Sequence, residues 1–359
     1  MANQRGGEGS GNGGGRGQNR RSKGRKKNKV MRIMNTNAQS LINKMDDMEV
    51  RVKTHKPKLI SVTETWGKEW IKDGILELKG YKMYRNDRKG KRGGGSILYI
   101  SDDLDHRECR PLNDQNFESS SWCWINEEGG KKILVGSIYK STSSTQDNNK
   151  ALLELLKKAD DIAGDNRVLI MGDFNVPNID WDDKNLKAGA KPFESLMLDC
   201  IDDCYLNQHV RDPTRLRNEQ ESTLDLIFTR EEGDVRNIEI MPPIGGSDHG
   251  VVIGDFVCEW KSKIDFKPRR MYYKGKYDKI IEGLEKVDWK KEFENKPVQE
   301  CWDMFRKKLE ELVAEFIPMT KPRDFNEPWM NWRIMRIWKQ KYFAWKRYTE
   351  SRGYQRYRE

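Results

Sequence analysis

Residues 168–181, VLIMGDFNVPNIDW, contain the side chains whose types and spacing could do chemistry. A short apolar run at residues 168–171 stops at Gly172 and is followed by Asp173 and Asn175, two positions apart. Residues i and i+2 of an extended backbone point to the same side, so we expect a carboxylate and a carboxamide to face one spot beyond the strand end. Pro177 then stops the strand, because proline lacks the N–H that a central ladder needs. The stretch predicts a polar site at the end of a buried strand.

Other apolar runs also end in, or just beyond, residues that can bind a metal ion or a phosphate. Each such residue alone is more typical of an ordinary solvated loop. Several together predict that sheet ends converge on one site, as they do in layered α/β proteins. These residues are Asn37, Glu64, Tyr139, Asp225, which lies inside its predicted strand, and the pair Asp248 and His249.

The carboxylates among these residues indicate a hard metal ion. If Glu64, Asp173 and Asp248 converge, they would raise one another's pKa, so the cluster needs a cation or a shared proton. The chain shows no cluster of cysteines or histidines that would select zinc. Oxygen ligands therefore favour Mg²⁺, with Mn²⁺ as the alternative. A phosphate oxygen completes the coordination of such an ion, which predicts phosphodiester hydrolysis.

His249 is the best candidate for an acid or base among the four histidines. An imidazole beside a carboxylate is oriented by it and keeps a raised pKa. The simpler alternative is a histidine that caps a strand. We expect His55, His106 and His209 to be surface residues, because none has a comparable setting.

Apolar runs alternate with helical patterns from residue 30 onward, which predicts an α/β fold. Strands are predicted at residues 30–34, 59–63, 93–100, 132–139, 168–171, 222–229 and 251–257. Helices are predicted at residues 40–54, 151–162, 298–317 and 329–348, where apolar residues recur at three-and-four spacing.

Charge divides the chain into three parts. Residues 1–29 carry nine Lys or Arg and one Glu, a net of +8, and residues 265–359 carry 24 basic and 16 acidic residues, also +8. Since the whole chain is +10, residues 30–264 carry 10 − 16 = −6. An acidic centre between basic ends suits an enzyme that holds cations at its site and grips a polyanion with its periphery.

The flanking segments have different characters. Residues 1–29 are rich in glycine and basic residues and have little to bury, so we expect a disordered tail. Its basic run reads either as a solvated tail or as a nuclear-import signal or nucleic-acid arm. No apolar run reaches the roughly 18 residues of a spanning helix, and six cysteines form no CxxC pair. We expect a soluble, reduced, intracellular protein without a membrane partner, and a nuclear location.

The motifs and their order resemble a known superfamily. Asn37 lies in MNTNAQSL, Glu64 in SVTETW, Tyr139 in GSIYK, Asp173 and Asn175 in MGDFNVPNIDW, Asp225 in STLDLIFT, and Asp248 and His249 in GGSDHG. This order resembles the endonuclease/exonuclease/phosphatase superfamily. With YRNDRKGKRGGG and with PTR before STLDLIFT, it is most similar to the endonuclease domain of non-LTR (LINE-type) retrotransposons. The resemblance covers residues 30 to about 260.

The resemblance implies a four-layered αββα sandwich and Mg²⁺-dependent nicking of double-stranded DNA, leaving a 3′-hydroxyl that primes reverse transcription. It implies roles for single residues, carried over one at a time. By this resemblance Glu64 would be the principal metal ligand, with Asn37 and Asp248 close to the metal. His249 would contact the scissile phosphate and be oriented by Asp225, and Asp173 would position or deprotonate the attacking water. Asn175 would hold a phosphate oxygen, Tyr139 would hydrogen-bond near the phosphate, and Ser222 would support substrate binding.

The C-terminal part departs from the family. A reverse transcriptase follows the endonuclease in that family, yet no polymerase motif such as Tyr-x-Asp-Asp occurs before Glu359. We therefore read residues 265–359 as a basic helical linker that would lead into an absent reverse transcriptase, with element RNA as a further partner of the basic tails. The apolar stripe of the last predicted helix favours core packing over base stacking, and we expect this face to be left without its partner. Its members are Trp332, Met335, Trp338, Tyr342 and Trp345.

Two other functions remain open. One is an abasic-site endonuclease or a phosphatase of the same superfamily, although basic arms disfavour small substrates. The other is a noncatalytic nucleic-acid-binding remnant. The complete set of candidate site residues argues against the remnant, because decay would have removed some of them.

Overall fold

The computed structural model describes residues 30–88, 90, 93–113, 117, 119–217, 220–258, 270–319 and 330–350. The predicted disordered tail, residues 1–29, lies outside the described residues. So do parts of the predicted linker, residues 265–269, 320–329 and 351–359.

Strands dominate the described residues up to Cys258, and helices dominate those from Arg270 onward. The strands are β1 (Val30–Asn37), β2 (Leu59–Thr63), β3 (Tyr81–Asn86), β4 (Ser96–Ser101), β5 (His106–Glu108), β6 (Ser120–Asn126), β7 (Lys132–Tyr139), β8 (Arg167–Asp173), β9 (Ile179–Asp180), β10 (Asn185–Leu186), β11 (Asn207–Gln208), β12 (Arg215–Arg217), β13 (Gln220–Ser222), β14 (Asp225–Thr229), β15 (Val235–Met241) and β16 (Val251–Val257). The helices are α1 (Met45–His55), α2 (Arg110–Asn113), α3 (Gln146–Ala163), α4 (Pro192–Asp203), α5 (Tyr277–Glu285), α6 (Trp289–Phe293), α7 (Val298–Phe316) and α8 (Trp332–Glu350).

Two six-stranded sheets form the centre of the fold. Their strand orders are β15-β16-β1-β2-β4-β3 and β11-β14-β8-β7-β6-β5. Each sheet has one parallel pair at its middle, β1 with β2 and β7 with β8, and the other pairings are antiparallel. The chain joins each parallel pair through a helix, α1 in the first sheet and α3 in the second, as a parallel crossover requires.

Three apolar clusters show that the sheets and helices form four layers. One cluster packs α3 and α4 on the second sheet, through residues such as Leu152 and Met197. A second lies between the two sheets and includes Ile33 and Leu169. The third packs α1 on the outer face of the first sheet, through Met48. The predicted αββα sandwich is confirmed.

The space between the sheets changes from apolar to polar toward one edge. Along β1 the inward side chains are Ile33, then Asn35, then Asn37, all buried. Serines meet across the sheets in the same middle layer: Ser61 with Ser137 at 2.8 Å, and Ser96 with Ser121 at 2.9 Å. Polar side chains can therefore be buried at this edge, because other polar side chains between the sheets are available as hydrogen-bond partners.

Several predicted elements differ in their bounds from those observed. The strand predicted at residues 93–100 starts at Ser96, because Gly93, Gly94 and Gly95 all have positive φ and form a turn. The helix predicted at residues 40–54 starts as a short 3₁₀ turn at Ile42–Lys44 before α1.

The strand predicted at residues 222–229 is divided into β13 and β14, so Asp225 begins a strand instead of lying inside one. The Thr214 hydroxyl accepts hydrogen bonds from the backbone N–H groups of Leu224 and Asp225, at 3.1 and 3.0 Å. These bonds hold the break between the two strands open.

The expectation that the aromatic face of α8 is left without a partner is wrong. Trp338 and Tyr342 pack against the cluster on the outer face of the first sheet. The Trp345 indole donates to the Ile240 carbonyl at 3.4 Å. The stripe instead covers the sandwich itself, although Trp332, at its amino-terminal end, is 68% exposed.

Candidate active site

The strand register places the candidate residues at one edge of the sandwich. In the first sheet Asn37, the last residue of β1, pairs with Thr63, the last of β2, and Glu64 follows. In the second sheet Asp173 ends β8 between two partners, Tyr139 on β7 and Asp225 on β14. Because β14 is antiparallel to β8, it starts at the edge where β7 and β8 end. Asp225, the first residue of β14, therefore lies beside the last residues of those two strands.

Asp173 is completely buried and is held by amide groups. The Asn37 side chain donates to its Oδ2 at 2.8 Å, and the Asn175 side chain donates to the same oxygen at 3.0 Å. The Asn175 backbone N–H donates to Oδ1 at 3.1 Å. Burial, reinforced by the charge of Asp225 and opposed by that of His249, raises the pKa of Asp173 to about 7.

Asn175 reaches this position by a route that the extended-strand argument did not predict. Its φ is +46°, in the left-handed region, so residues 173–175 are not extended. Asparagine tolerates this conformation better than most residues do. Its side chain turns back to Asp173 and also donates to the Lys140 carbonyl at 2.8 Å.

His249 and Asp225 form a buried acid/base pair. His249 Nδ1 lies 2.7 Å from Asp225 Oδ2, and both residues are at most 2% exposed. Burial lowers the pKa of His249, but the charges of Asp225, Asp173 and Asp248 outweigh this effect and raise it to about 9. The ring therefore carries a positive charge at neutral pH, with Nε2 3.6 Å from Asp248 Oδ1.

Glu64 is half-buried, and three donors from different elements hold its carboxylate. The Asn37 amide and the Tyr139 hydroxyl each donate to Oε1 at 3.0 Å, and the Trp66 indole donates to Oε2 at 3.2 Å. Glu64 and Trp66 both have positive φ, 47° and 55°. Burial, with Glu64 and Asp173 nearby, raises the pKa of Tyr139 above its ordinary value.

Asp248 is engaged by two protein side chains. Gln39 donates to Oδ1 at 2.6 Å and accepts from the Asp248 backbone N–H at 3.2 Å. Arg215 contacts Oδ2 through Nε and Nη2, both at 3.0 Å. Arg215 also lies opposite Ser222 in the β12–β13 hairpin, which brings Ser222 to the side of the site.

Sequence reasoning gave no role to Gln39, Trp66, Thr214 or Arg215. All four lie within quoted motifs: Gln39 in MNTNAQSL, Trp66 in SVTETW, and Thr214 and Arg215 in PTR. Only the tertiary contacts assign them to Asp248, Glu64 and the start of β14.

The other histidines are not the surface residues that we expected. All three are partly buried, and each has a partner. His106 Nδ1 lies 2.8 Å from the Tyr84 hydroxyl, His209 Nε2 lies 2.6 Å from the Thr229 hydroxyl, and the His55 ring packs edge-on against Trp338 at 5.4 Å.

Asp173, Asp225 and His249 form a group that could hold a metal ion, since one ligand atom of each lies within 4.8 Å of the others. His249 Nδ1 is already bonded to Asp225, so only Nε2 of this ring could contribute to such a site. All three residues of this group are at most 2% exposed, and Mg²⁺ usually keeps several waters. Half-buried Glu64 suits a hydrated hard ion better.

Comparison with known proteins identifies the type of fold. Residues 133–253 match a family model described as endonuclease-reverse transcriptase. The solved endonuclease domain of TRAS1, a telomere-specific non-LTR retrotransposon, is similar over 64% of this chain and 99% of that one, with 15% identity and a TM-score of 0.52. The fold is of the endonuclease/exonuclease/phosphatase type. The predicted resemblance is thereby confirmed.

A second structure shares this endonuclease/exonuclease/phosphatase fold to the same degree. The AP endonuclease LMAP from Leishmania major has 15% identity and a TM-score of 0.52, over 64% of this chain and 88% of that one. A search of curated proteins found no match. Among the described residues, no helix combines the length and apolarity needed to cross a membrane.

Proposed function

We propose that this protein is a metal-dependent DNA endonuclease that nicks a target duplex, as in target-primed reverse transcription of a non-LTR retrotransposon. The observation that carries the proposal is the pairing of two buried groups with opposite tasks. Asp173 has a pKa near neutrality, and His249 is a cation held by Asp225. Pairs of neighbouring titratable groups whose surroundings push their pKa values apart are typical of acid/base catalysis.

Asp173 acts as the base in this mechanism. A base works best when its pKa is close to the working pH, and Asp173 meets this condition. It takes a proton from water as the water oxygen bonds to phosphorus and the P–O3′ bond breaks. The departing 3′ oxygen takes a proton from solvent, leaving a 3′-hydroxyl and a 5′-phosphate.

His249 stabilises the charge that builds up on the phosphate. Asp225 holds Nδ1, so the ring's Nε2 proton is available for a phosphate oxygen. A preorganised cationic donor of this kind costs no reorganisation during the reaction. We assign Asn175 and Tyr139 to the remaining oxygens, and Ser222 to a contact from the hairpin. The Asn175 amide now donates to Asp173 and Lys140 and the Tyr139 hydroxyl to Glu64, so each must exchange a present partner for the phosphate.

Glu64 is the principal ligand that we assign to Mg²⁺, with Asn37 and Asp248 close by; Mn²⁺ is the alternative. The bound ion supplies charge neutralisation for the phosphate and its transition state. Carboxylate and amide oxygens fit this hard ion. Binding at Asp248 requires that Gln39 or Arg215 give up an oxygen, since both oxygens now have protein partners.

The proposed partner is double-stranded DNA, and element RNA is proposed for the basic segments at the two ends. A nuclear location follows from the same proposal. An abasic-site endonuclease is the second candidate, because the AP endonuclease structure matches this fold as closely as the retrotransposon domain does.

Nicking of supercoiled plasmid by the full chain tests the proposal. We expect conversion to open circle with Mg²⁺ but not with EDTA. Glu64→Gln, Asp173→Asn and His249→Gln should each lower the rate at least about 100-fold, since each removes a group that acts in the transition state. Asp161→Asn, on the exposed face of α3, is the matched control and should nick like the wild type.

Two other outcomes would point elsewhere. Cleavage confined to a duplex with an abasic site would favour the second candidate. Absence of nicking by folded protein that still binds DNA would reject the enzyme and support the noncatalytic remnant.

A further inference from the structure

The loop that delivers Asp248 and His249 to the site is contacted from outside by the C-terminal helix. This loop, residues 242–248, connects β15 to the residues before β16. It begins with Pro242 and Pro243, which have no N–H to donate. The loop therefore depends on outside donors and acceptors to hold its backbone.

Lys341 on α8 supplies one of these contacts. Its Nζ donates to the Pro243 carbonyl at 2.7 Å and to Asp47 Oδ2 at 3.1 Å. The same Asp47 oxygen accepts the Gly245 backbone N–H at 2.9 Å. Arg51 Nη2 also donates to the Pro243 carbonyl, at 2.8 Å. Lys341 thus contacts the loop directly at the Pro243 carbonyl, and indirectly at Gly245 through Asp47.

Two further side chains fix α8 against β15, the strand that leads into the loop. The Tyr342 hydroxyl donates to Glu239 Oε1 at 2.7 Å, and the Trp345 indole reaches the Ile240 carbonyl. On the other side, the loop is fixed to the site itself. Ser247 Oγ donates to the Asn37 carbonyl at 2.8 Å and accepts from the His249 N–H at 3.2 Å.

We propose that α8 is a clasp that positions the loop of residues 242–248, and that Lys341 is the positioning residue through which it acts on the site. The inference rests on the proposed function, because its kinetic consequence is a change in the rate of DNA nicking. Under this proposal, α8 positions the loop beside the active site, whether or not it also links two parts of the chain. Lys341 touches no candidate catalytic side chain, so it acts only through the loop.

The size of the effect is limited by the other contacts of the loop. Asp248 is separately held by Gln39 and Arg215. Loss of the clasp should therefore loosen the loop and not unfold it. We expect about a threefold to tenfold loss in kcat, the usual range for a residue that couples to a site through neighbours.

The test compares Lys341→Met, Lys341→Arg and Lys339→Met in the full chain. Lys339 is exposed on the same helix and is the matched control. Amide hydrogen exchange of residues 244–250 and Mg²⁺-dependent plasmid nicking are measured together. For Lys341→Met we expect faster exchange in the loop and a lower kcat with an unchanged KM for DNA. Lys341→Arg should restore most of both, and Lys339→Met should match the wild type.

Unchanged loop exchange in Lys341→Met overturns the clasp, whatever the activity. Faster exchange with unchanged kcat in an active enzyme overturns the positioning role. If the wild type does not nick, the proposed function fails, and hydrogen exchange alone decides whether the clasp exists. If Lys341→Met lowers the thermal stability of the whole protein, Lys341→Gln replaces it, since it also removes the Nζ that contacts Pro243 and Asp47. Unchanged loop exchange in that variant also overturns the clasp.

Discussion

At the scale of single residues, the site is organised by donors that hold each carboxylate in one orientation. Glu64 shows this most clearly, because its three donors come from three different segments of the chain. A carboxylate that is already oriented loses less freedom when it binds a ligand. Trp66 is the one of these donors that the sequence did not single out, and it lies in the strained segment after β2.

Trp66→Phe should weaken metal binding. The variant keeps an aromatic ring but removes the indole N–H that orients Glu64 Oε2. Loss of one hydrogen bond to a charged group corresponds to roughly a tenfold increase in Kd for Mn²⁺. Calorimetric titration of Mn²⁺ into the protein measures it. Trp70→Phe is the control, since Trp70 is 79% exposed; equal affinities for both variants would contradict the role of Trp66.

At the scale of elements, the site depends on how closely β7 and β8 approach. Gly172 pairs with Ile138 one residue before Asp173. Its φ is +152°, and a Cβ built on it would lie 1.9 Å from the Ile138 carbonyl oxygen. Backbone cannot move away as a flexible side chain can. The glycine before Asp173 therefore permits the backbone geometry that aims the carboxylate.

Gly172→Ala should destabilise the fold. We expect a loss of about 3 kcal/mol in the free energy of unfolding, since the added methyl group forces the parallel pair apart. Urea denaturation measures the change. In Gly74→Ala the added Cβ meets nothing within 4 Å, so that control should stay close to the wild type. A loss below about 1 kcal/mol for Gly172→Ala would contradict the argument.

At the scale of the whole molecule, buried ionisable groups tie stability to pH. Burial lowers the pKa of His209 to about 4, and burial together with Arg51 and Arg32 does the same for His55, which lies against α8. Their unfolded pKa is about 6.5. The stability contributed by these neutral rings is fully present above pH 6.5 and is lost as the pH falls toward 4.

His209→Gln should therefore flatten the acid side of the stability profile. One such histidine contributes a slope of at most about 1.4 kcal/mol per pH unit, and partial exposure reduces this to about half. Asp173, with its raised pKa, contributes the opposite slope in this range. The quantity to measure is thus the difference between variant and wild type in urea unfolding at pH 7 and pH 5. Parallel profiles would show that His209 is not the source.

The sequence by itself determined the type of fold and the chemical character of the site. Leu59–Thr63, Lys132–Tyr139 and Val251–Val257 were predicted at their observed bounds. Each is a short, mostly apolar or β-branched run that begins directly after a polar residue or a glycine. The prediction that these residues gather rested on motif order, and the strand register gives the physical reason. The parallel strands β1, β2, β7 and β8 end at this edge, and the antiparallel strands β14 and β16 start there.

Only the tertiary structure decided which side chains are hydrogen-bond or ion-pair partners of the site residues and of the loop that carries Asp248. The partnerships of Trp66 with Glu64, Arg215 with Asp248, and Lys341 with the loop of residues 242–248 join segments in geometries set by register and layer packing. The docking of α8 was missed for the same reason. An amphipathic pattern shows that one face of a helix must be buried. The free energy gained by burying that face depends on the apolar area buried and not on which surface covers it, so the pattern does not identify the partner.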